Sequence, residues 1–364
     1  MIVLTGAAGF IGSCILSRLN QVGQKDILIV DHLDESDSLQ KSGQVDTDFR
    51  KSNVVVSTAS AQRLGRKNRA INIAEDCSNF KKANLKSKEY QQYFDKKDFL
   101  KLVLADKLPS QIDLILHIGA CSSTTLQDAR YFQENNFEYS CHLAKWALAR
   151  GVQFIYASSA ATYGDGSCGY SDDHARIRQC KPLNLYGESK QKFDEWVLDN
   201  AAIDKVVGLK FFNVFGPNEY HKGDMRSVIA KAYTTVVEEG KMSLFKSYRK
   251  EFADGEQKRD FIYVKDAVDI VMFFVEHPDF HGIYNVGTGK ARSWNDLAYA
   301  LFAAAGQKPN IQYIEMPEAI RPRYQYFTQA EMTKLQWSGY QEPFTELEDA
   351  VKDYVKYLCR HTYL

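Results

Sequence analysis

No run of apolar residues in this chain is long enough to cross a bilayer, so no helical membrane span is expected. An excess of one charge sign is missing too. Lys plus Arg and Asp plus Glu number 46 each, which removes both a basic footprint for nucleic acid and an acidic tail. An anionic ligand must therefore meet locally placed cations. Cysteines are sparse, seven in 364 residues, odd in number and without a Cys-x-x-Cys pair; this fits free thiols in a reducing compartment. No charged segment precedes the first apolar run, so no signal peptide is expected and the chain is assigned to the cytoplasm. Cys168, His174 and Cys180 match no standard metal spacing and lack a fourth ligand, so no metal is expected.

What is present begins at the first residues. Ile2 to Thr5 is a short apolar run suited to a buried parallel strand. It leads into Thr5-Gly6-Ala7-Ala8-Gly9-Phe10-Ile11-Gly12 and then an amphipathic helix with Ile11, Ile15, Leu16 and Leu19 on one face. Strand, glycine turn and helix in this order predict a dinucleotide site. Gly6 serves the tight turn, Gly9 the approach of a pyrophosphate, and Gly12 the close packing of helix on strand. The next strand, Ile27 to Val30, ends at Asp31, a carboxylate placed to accept ribose hydroxyls and so to favour NAD. Lysines beyond it would suit a 2′-phosphate instead.

From about 38 to 80 the chain turns polar, and strand-to-helix loops are rarely so long; this stretch predicts an insertion without a core of its own. Leu114 to Ile118 predicts another buried strand, followed by Gly119-Ala120-Cys121-Ser122, small residues that let backbone approach a cofactor. His117 reads as a satisfied strand histidine, and Cys121 as a packing residue. Asn135 and Asn136 are expected to open a helix running to about Arg150. The strand Gln153 to Ala157 then delivers Ser158-Ser159 to the carboxyl end of the sheet, where ligands bind in open α/β folds.

One loop later comes Leu185-Tyr186-Gly187-Glu188-Ser189-Lys190. On a helix, Tyr186 and Lys190 share a face about 6 Å apart along the axis. A free tyrosine, with a pKa of about 10, is a poor base; a nearby ammonium, helped by a cationic nicotinamide, favours the phenolate. The spacing alone says little among 21 tyrosines, and Tyr93-x-x-x-Lys97 also has it. The serine-rich strand end before Tyr186 and the strand after its helix set it apart. Tyr186 and Lys190 are thus the expected catalytic pair, with Ser159 bonding the reacting oxygen.

Taken together, TGAAGFIG, HIGACSSTT from His117, YASSAATYGDG from Tyr156, KPLNLYGESK from Lys181, FFNVFGPNEYHKG from Phe211, KRDFIYVKD from Lys258 and RYQYFTQA from Arg323 carry a resemblance. The chain resembles the extended short-chain dehydrogenase/reductases and, within them, the ADP-heptose 6-epimerase family. The resemblance spans nearly the whole chain outside the insertion. It implies an NADP-dependent enzyme that inverts C6 of the heptose in ADP-D-glycero-D-manno-heptose for lipopolysaccharide inner-core biosynthesis, working as a homo-oligomer, a pentamer in the family.

By position, the resemblance assigns Phe10, Ile11, Asp31, His32, Lys81, Lys96, Asn135, Lys190 and Val214 to the cofactor, along with Ile118 to Ser122. It gives Asn213, Asp224, Lys231, Phe245, Lys246, Ser247, Tyr248, Arg259 and Tyr324 to the nucleotide sugar, with Ser159. Lys222 is implied as a second acid/base that also touches the cofactor. His221 is its rival, because imidazole titrates nearer neutral pH. The chain departs from the family pattern at three places, five positions in all: Ile118 for Glu, Asp224 for Ser, and Lys246-Ser247-Tyr248 for Glu-Gly-Ser.

The expected fold is α/β: a doubly wound parallel sheet (Rossmann) over 1–212, with a smaller C-terminal substrate-binding domain over 213–364. Residues 258–290 are expected to return to the first. Two readings compete with C6 epimerisation: a C4 nucleotide-sugar epimerase of the same superfamily, and a non-catalytic dinucleotide sensor. A dehydratase is disfavoured, since Ser159-Ala160-Ala161 lacks the acid pair that water elimination needs.

Overall fold

The computed structural model describes residues 1–33, 73–318 and 320–364. Seven strands form one parallel sheet: β1 (Ile2–Thr5), β2 (Ile27–Asp31), β3 (Gln92–Asp95), β4 (Leu114–His117), β5 (Gln153–Ser159), β6 (Val206–Phe211) and β10 (Gly282–Val286). Their order is β10-β6-β5-β4-β1-β2-β3. The direction of winding reverses between β1 and β4, so the carboxyl ends of those two strands open the crevice where such sheets take ligands. Residues alternate between the faces. Ile2, Leu4, Ile27 and Ile29 enter one core layer and Val3, Leu28 and Val30 the other, which is why these strands appear as unbroken apolar runs. Truncating Leu4 or Ile115, both fully enclosed, would cost about 2–5 kcal/mol.

The first-lobe helices are α1 (Phe10–Gln21), α2 (Ile73–Leu85), α3 (Lys96–Leu104), α4 (Ala129–Phe132), α5 (Tyr139–Arg150) and α6 (Leu185–Asp199). Between α4 and α5 the chain stays helical through a π turn, Gln133–Glu138. Asn135 and Asn136 sit in that turn and do not open the helix, as the sequence had suggested. The backbone of Gly6 is left-handed (φ +71°), and a Cβ there would lie 2.6 Å from Gly119 Cα; one on Gly12 would lie 2.0 Å from the Gly6 carbonyl oxygen. These contacts bring the ends of β1 and β4 and the start of α1 together.

The second lobe has β7 (Asn213–Phe215), β8 (Met242–Phe245), β9 (Lys258–Tyr263), β11 (Ala291–Ser293) and β12 (Ile311–Ile314), with α7 (Val228–Glu239), α8 (Val264–Glu276), α9 (Trp294–Ala304), α10 (Thr333–Trp337) and α11 (Leu347–Arg360). Small sheets β11-β9-β7 and β12-β8 carry it. The stretch 258–290 divides. Strand β9 belongs to the small sheet, α8 packs on α1, and β10 pairs with β6 at the edge of the large sheet.

Two expectations meet the structure at the 38–80 stretch. Most of it lies outside the described residues. Its end, however, is not loop: α2 begins at Ile73 and carries Lys81 and Asn84. Strand β3 lies at the sheet edge where the sequence suggested none. Tyr93 falls in β3 and Lys97 in α3, so that pair does not share a helix face. Among the described residues, no helix is long and apolar enough to cross a membrane and no three ligating side chains converge as a metal site. The six cysteines whose side chains are described are free thiols. His174 is engaged elsewhere, its Nε2 accepting from the Ile283 amide at 3.1 Å with Lys334 Nζ at 2.6 Å.

Candidate active site

A cavity of about 820 Å³ opens at the carboxyl ends of β1, β4, β5 and β6, between the two lobes. Its floor is the glycine turn: Gly6, Gly9, Phe10, Ile11 and Gly12 line it. Gly9 is the N-cap of α1 and offers no side-chain cap, so the first-turn amides of α1 are left for a ligand. Opposite them runs Ile118-Gly119-Ala120-Cys121-Ser122, held in place by Asn136, whose Oδ1 accepts from the Cys121 amide (2.8 Å) and whose Nδ2 donates to the Cys121 carbonyl (2.9 Å).

At one end Asp31 closes β2. Its Oδ2 accepts from the Ala8 amide at 2.8 Å and its Oδ1 from the His32 amide at 2.7 Å and from Lys81 Nζ at 3.2 Å. The carboxylate is thus already neutralised and largely occupied. Lys81 also reaches the His32 carbonyl (2.8 Å), and His32 Nδ1 lies 2.9 Å from Asp95 Oδ2. Lys96 donates to Asn135 Oδ1 at 2.7 Å; burial pulls its ammonium below the usual lysine range, and Lys81 adds to that. His32, Lys81, Lys96 and Asn135 all line this end of the cavity, and Val214, Lys190 and Lys222 line it further along.

The candidate proton-transfer groups come together where β5 meets α6. Asn184 caps α6, its side chain accepting from the Gly187 amide (2.8 Å), so Tyr186 stands in the first turn and Lys190 one turn on. Ser159 Oγ accepts from the Ala161 amide at 3.1 Å, and its hydroxyl faces the Tyr186 phenol. Lys190 Nζ donates to the Ala157 carbonyl at 2.7 Å; burial pulls its pKa down to about 8, opposed by Asp194. Burial raises the Tyr186 phenol above its usual value, and the Ser159 hydrogen bond only opposes this. Lys190 alone does not yield a phenolate, because its ammonium is directed at a backbone carbonyl. The proton stays on Tyr186 unless a further cation enters.

The turn Tyr220–Met225 brings a second set of groups to the same cavity. Lys222 Nζ lies 4.9 Å over the Phe10 ring, at the start of α1. Burial lowers its pKa, opposed by Glu219. His221 is pushed down to about 3 by burial and by Lys81 and Lys222, so it is neutral at pH 7 and a weak base. Both line the cavity, and the neutral imidazole is the poorer proton donor of the two.

The second-lobe residues are divided. Asn213 lines the cavity. Arg259 lies over the Tyr324 ring (5.2 Å) and the Trp294 ring (5.7 Å), and Phe245 meets Tyr324 edge-on at 6.4 Å; Arg259, Phe245 and Tyr324 stand behind Trp294 without lining the cavity themselves, and Arg259 donates to the Lys258 and Gln325 carbonyls. Lys231 Nζ donates to the Asp224 carbonyl at 3.3 Å on the loop beside Lys222. The structure does not bring Lys246, Ser247 and Tyr248 to the cavity. Lys246 pairs with Glu315 at 2.7 Å, the Ser247 amide with Asp254 at 2.7 Å, and Tyr248 stacks under Arg321 at 3.9 Å. Trp294, Phe261 and Leu297 do line it and were missed. Phe261 lies inside KRDFIYVKD but was read only as part of that stretch; Trp294 and Leu297 stand in no motif, and the fold alone brings β9 beside β7 and α9 to the cavity.

A parallel sheet with its winding reversed at the glycine turn, and a tyrosine, lysine and serine at the adjoining strand end, define a dinucleotide-dependent enzyme acting on an alcohol. The NAD dependent epimerase/dehydratase family model matches residues 2–287, and the chain belongs to that family. It is 45% identical over 98% of its length, and 97% of the relative's, to the ADP-L-glycero-D-manno-heptose-6-epimerase of Nitratidesulfovibrio vulgaris (strain DP4). It is 40% identical over 99% of its length, and 98% of the relative's, to the protein of the same name from Fusobacterium nucleatum. The crystal structure of the Helicobacter pylori ADP-L-glycero-D-manno-heptose-6-epimerase shares the fold, with a TM-score of 0.71 at 24% identity over 98% of this chain and 96% of that one.

Proposed function

We propose that the chain inverts C6 of the heptose in ADP-D-glycero-D-manno-heptose, giving the L-glycero epimer through a transient 6-keto sugar. The names of its relatives support this. The observation that carries it is that proton-transferring side chains from two separate segments, Tyr186 on α6 and Lys222 on the 220–225 turn, line one cavity with the glycine turn.

The residues fit a bound dinucleotide: the Gly6, Gly12 and Gly119 contacts leave no room for a Cβ, and the first turn of α1 is uncapped by any side chain. Held there, a dinucleotide would supply both the acceptor and the donor of the C6 hydride, so that the reaction has no net redox change. Ser159 holds the C6 oxygen, with its own acceptor side turned to Ala161. Tyr186 moves the proton on one side, and Lys190, one turn away, adds positive charge beside it and would hold the ribose next to the nicotinamide. Return of hydride to the opposite face requires the sugar end to turn. Proton transfer needs reach of about 2.6–3.2 Å, so one fixed group serves both orientations poorly. Lys222 is assigned as the second acid/base. Arg259 and Lys231 suit the diphosphate, and Phe245, Tyr324 and Trp294 the base.

We assign NADP as the cofactor. Lys81 and Lys96 stand at the ribose end, and Asp31 is already engaged by two amides and by Lys81. The enzyme would work in the cytoplasm, as a homo-oligomer, in supply of lipopolysaccharide inner-core sugar.

The test is to incubate purified protein with ADP-D-glycero-D-manno-heptose and follow C6 configuration by NMR. Appearance of the epimer is expected. No turnover of this substrate, with interconversion of a C4 pair such as UDP-glucose and UDP-galactose, would replace the reading with a C4 epimerase.

A further inference from the structure

Glu219 is fully withdrawn from solvent and lies just before the turn that carries Lys222. Its carboxylate is held from two elements. Oε2 accepts from the Ser227 amide at 2.6 Å, and Oε1 from Ser227 Oγ at 2.5 Å and from Tyr354 Oη on α11 at 2.9 Å. Ser227 is also the N-cap of α7, so the carboxylate cannot drift without disturbing that helix start. Lys222 Nζ lies 3.9 Å from Oε2, outside hydrogen-bond range and within strong Coulombic range. The Lys222 amide donates to the Glu219 carbonyl at 3.0 Å, and Gly223 then turns the chain with φ +53°, so both ends of the turn are pinned.

We propose that Glu219 is a positioning residue for Lys222: a buried, immobile negative charge that keeps the ammonium at the cavity wall, over Phe10, and keeps it protonated. This rests on the assignment of Lys222 as the second acid/base. The other charged and titratable groups facing Lys222 act against it or elsewhere. Lys231 on α7 repels the ammonium, while Asp224 faces Lys231. His221 is neutral and faces Lys81 and Asn84 on α2. Arg226 Nε donates to the Gly223 carbonyl at 2.9 Å. The Phe10 ring on α1 carries no charge, and the Tyr354 phenol is a donor to Glu219. Glu219 is therefore the one anion set against Lys222 among the described residues. Returning the hydride to a ketone needs a proton donor, so loss of the ammonium at high pH must stop the cycle. Without Glu219's charge that loss comes at lower pH.

The experiment is the pH dependence of kcat for wild type, Glu219→Gln and Tyr354→Phe, with bound dinucleotide and Tm measured on each. In Glu219→Gln the alkaline limb should move down by at least about one pH unit, with KM little changed and dinucleotide retained. In Tyr354→Phe, which loses a hydrogen bond and keeps the charge, the limb should stay. If Glu219→Gln does not fold, Glu219→Asp gives the same reading: a carboxylate drawn back by one methylene moves the limb the same way and by less. A limb that stays put in the folded Glu219 variant overturns the proposal. Lys222→Met separates the two levels. If it is inactive while the Glu219 limb is unmoved, only the role of Glu219 falls; if it turns over normally, the assignment of Lys222 falls and this inference with it.

Discussion

Lys210 Nζ lies 2.6 Å from Asp194 Oδ2, and both side chains are wholly withdrawn from solvent. Asp194 also accepts from Tyr156 Oη (2.9 Å) and Ser158 Oγ (2.7 Å), while Lys210 donates to Thr162 Oγ1 (2.7 Å) and lies 5.1 Å over the Tyr163 ring. The pair thus ties α6, which carries Tyr186 and Lys190, to β5, which ends in Ser159, and to β6, which leads into the second lobe. A buried pair of this kind contributes little net stability, because desolvation offsets attraction, but breaking it leaves a charge stranded. Asp194→Asn and Lys210→Met should each lose about 3–5 kcal/mol in urea unfolding, and the double variant should lose less than the sum. Losses below about 1 kcal/mol for both would mean that the pair is not held together in solution.

A second prediction concerns the dinucleotide. Lys81 neutralises Asp31 at 3.2 Å and, with Lys96, puts positive charge at the Asp31 end of the cavity, where the proposed NADP would set its 2′-phosphate. Acid release from purified protein followed by mass spectrometry should give NADP, and recovery of NAD alone refutes the assignment. Lys81→Ala leaves Asp31 unneutralised, so the preference should move toward NAD by roughly tenfold or more, equivalent to about 1.4 kcal/mol.

The sheet and the Tyr186 site were legible because they are written locally. Strands β1, β2 and β4 are buried on both faces and show as apolar runs, and the glycine turn and Tyr186-x-x-x-Lys190 are short contiguous motifs. Strand β3 was not, because Gln92-Tyr93-Phe94-Asp95 sits at an edge, half exposed, and has no apolar run to announce it. Asp194 and Lys210 look in sequence like two more surface charges; only the packing of α6 on β5, beside which β6 runs, puts them in contact. Trp294 enters the cavity for the same reason. The phenol of Tyr186 shows the limit from the other side: spacing placed the lysine correctly, but its direction, toward Ala157, is a property of the strand beneath it.

Replacing 38–79 with a short Gly/Ser linker is harmless if the whole stretch is loop. The structure predicts otherwise, since the cut removes the first seven residues of α2, about two turns. What remains is too short to hold Lys81 on Asp31, or Asn84 Nδ2 on the Ala8 and Asn218 carbonyls (2.9 and 3.1 Å), the second of which anchors the Lys222 turn. The variant should lose bound dinucleotide on purification. Normal dinucleotide content would show that α2 is dispensable to the site.

Tyr186→Phe keeps the ring and removes the proton. It should lower kcat by about 10²–10⁴ with the dinucleotide still bound, and Ser159→Ala should cost a smaller factor in the same parameter. Single-turnover absorbance at 340 nm checks this. A Tyr186→Phe enzyme with near-normal turnover would move the proton chemistry to another group.

His117 gives the last prediction, and its hydrogen bonds fix its charge state. Ser140 Oγ donates to the Asn136 carbonyl (2.5 Å), so towards His117 Nε2, at 2.8 Å, it acts as acceptor. Thr5 Oγ1 accepts from the Gly119 amide (3.1 Å) and therefore offers its own hydrogen to His117 Nδ1 at 2.8 Å. The neutral Nε2–H imidazole satisfies every partner; a second proton on Nδ1 would oppose the Thr5 hydroxyl and bury a charge. Burial, with Lys190 adding to it, accordingly pushes the pKa down to about 3. Unfolded histidine titrates near 6.5. Above that pH both states are neutral and the residue imposes no cost. As pH falls from 6.5 toward 3, the unfolded chain takes a proton that the folded one refuses, so stability drops by about 1.4 kcal/mol per pH unit from this group alone. His117→Gln removes the titration. Its stability at pH 7 should be lower than wild type, because the two hydroxyls lose their fitted partner. Its slope of unfolding free energy against pH between 6 and 4 should be shallower by about that 1.4 kcal/mol per unit, other groups cancelling in the comparison. Parallel slopes would mean that His117 accepts a proton in the folded state, and that the Thr5 and Ser140 hydroxyls can turn to accommodate it.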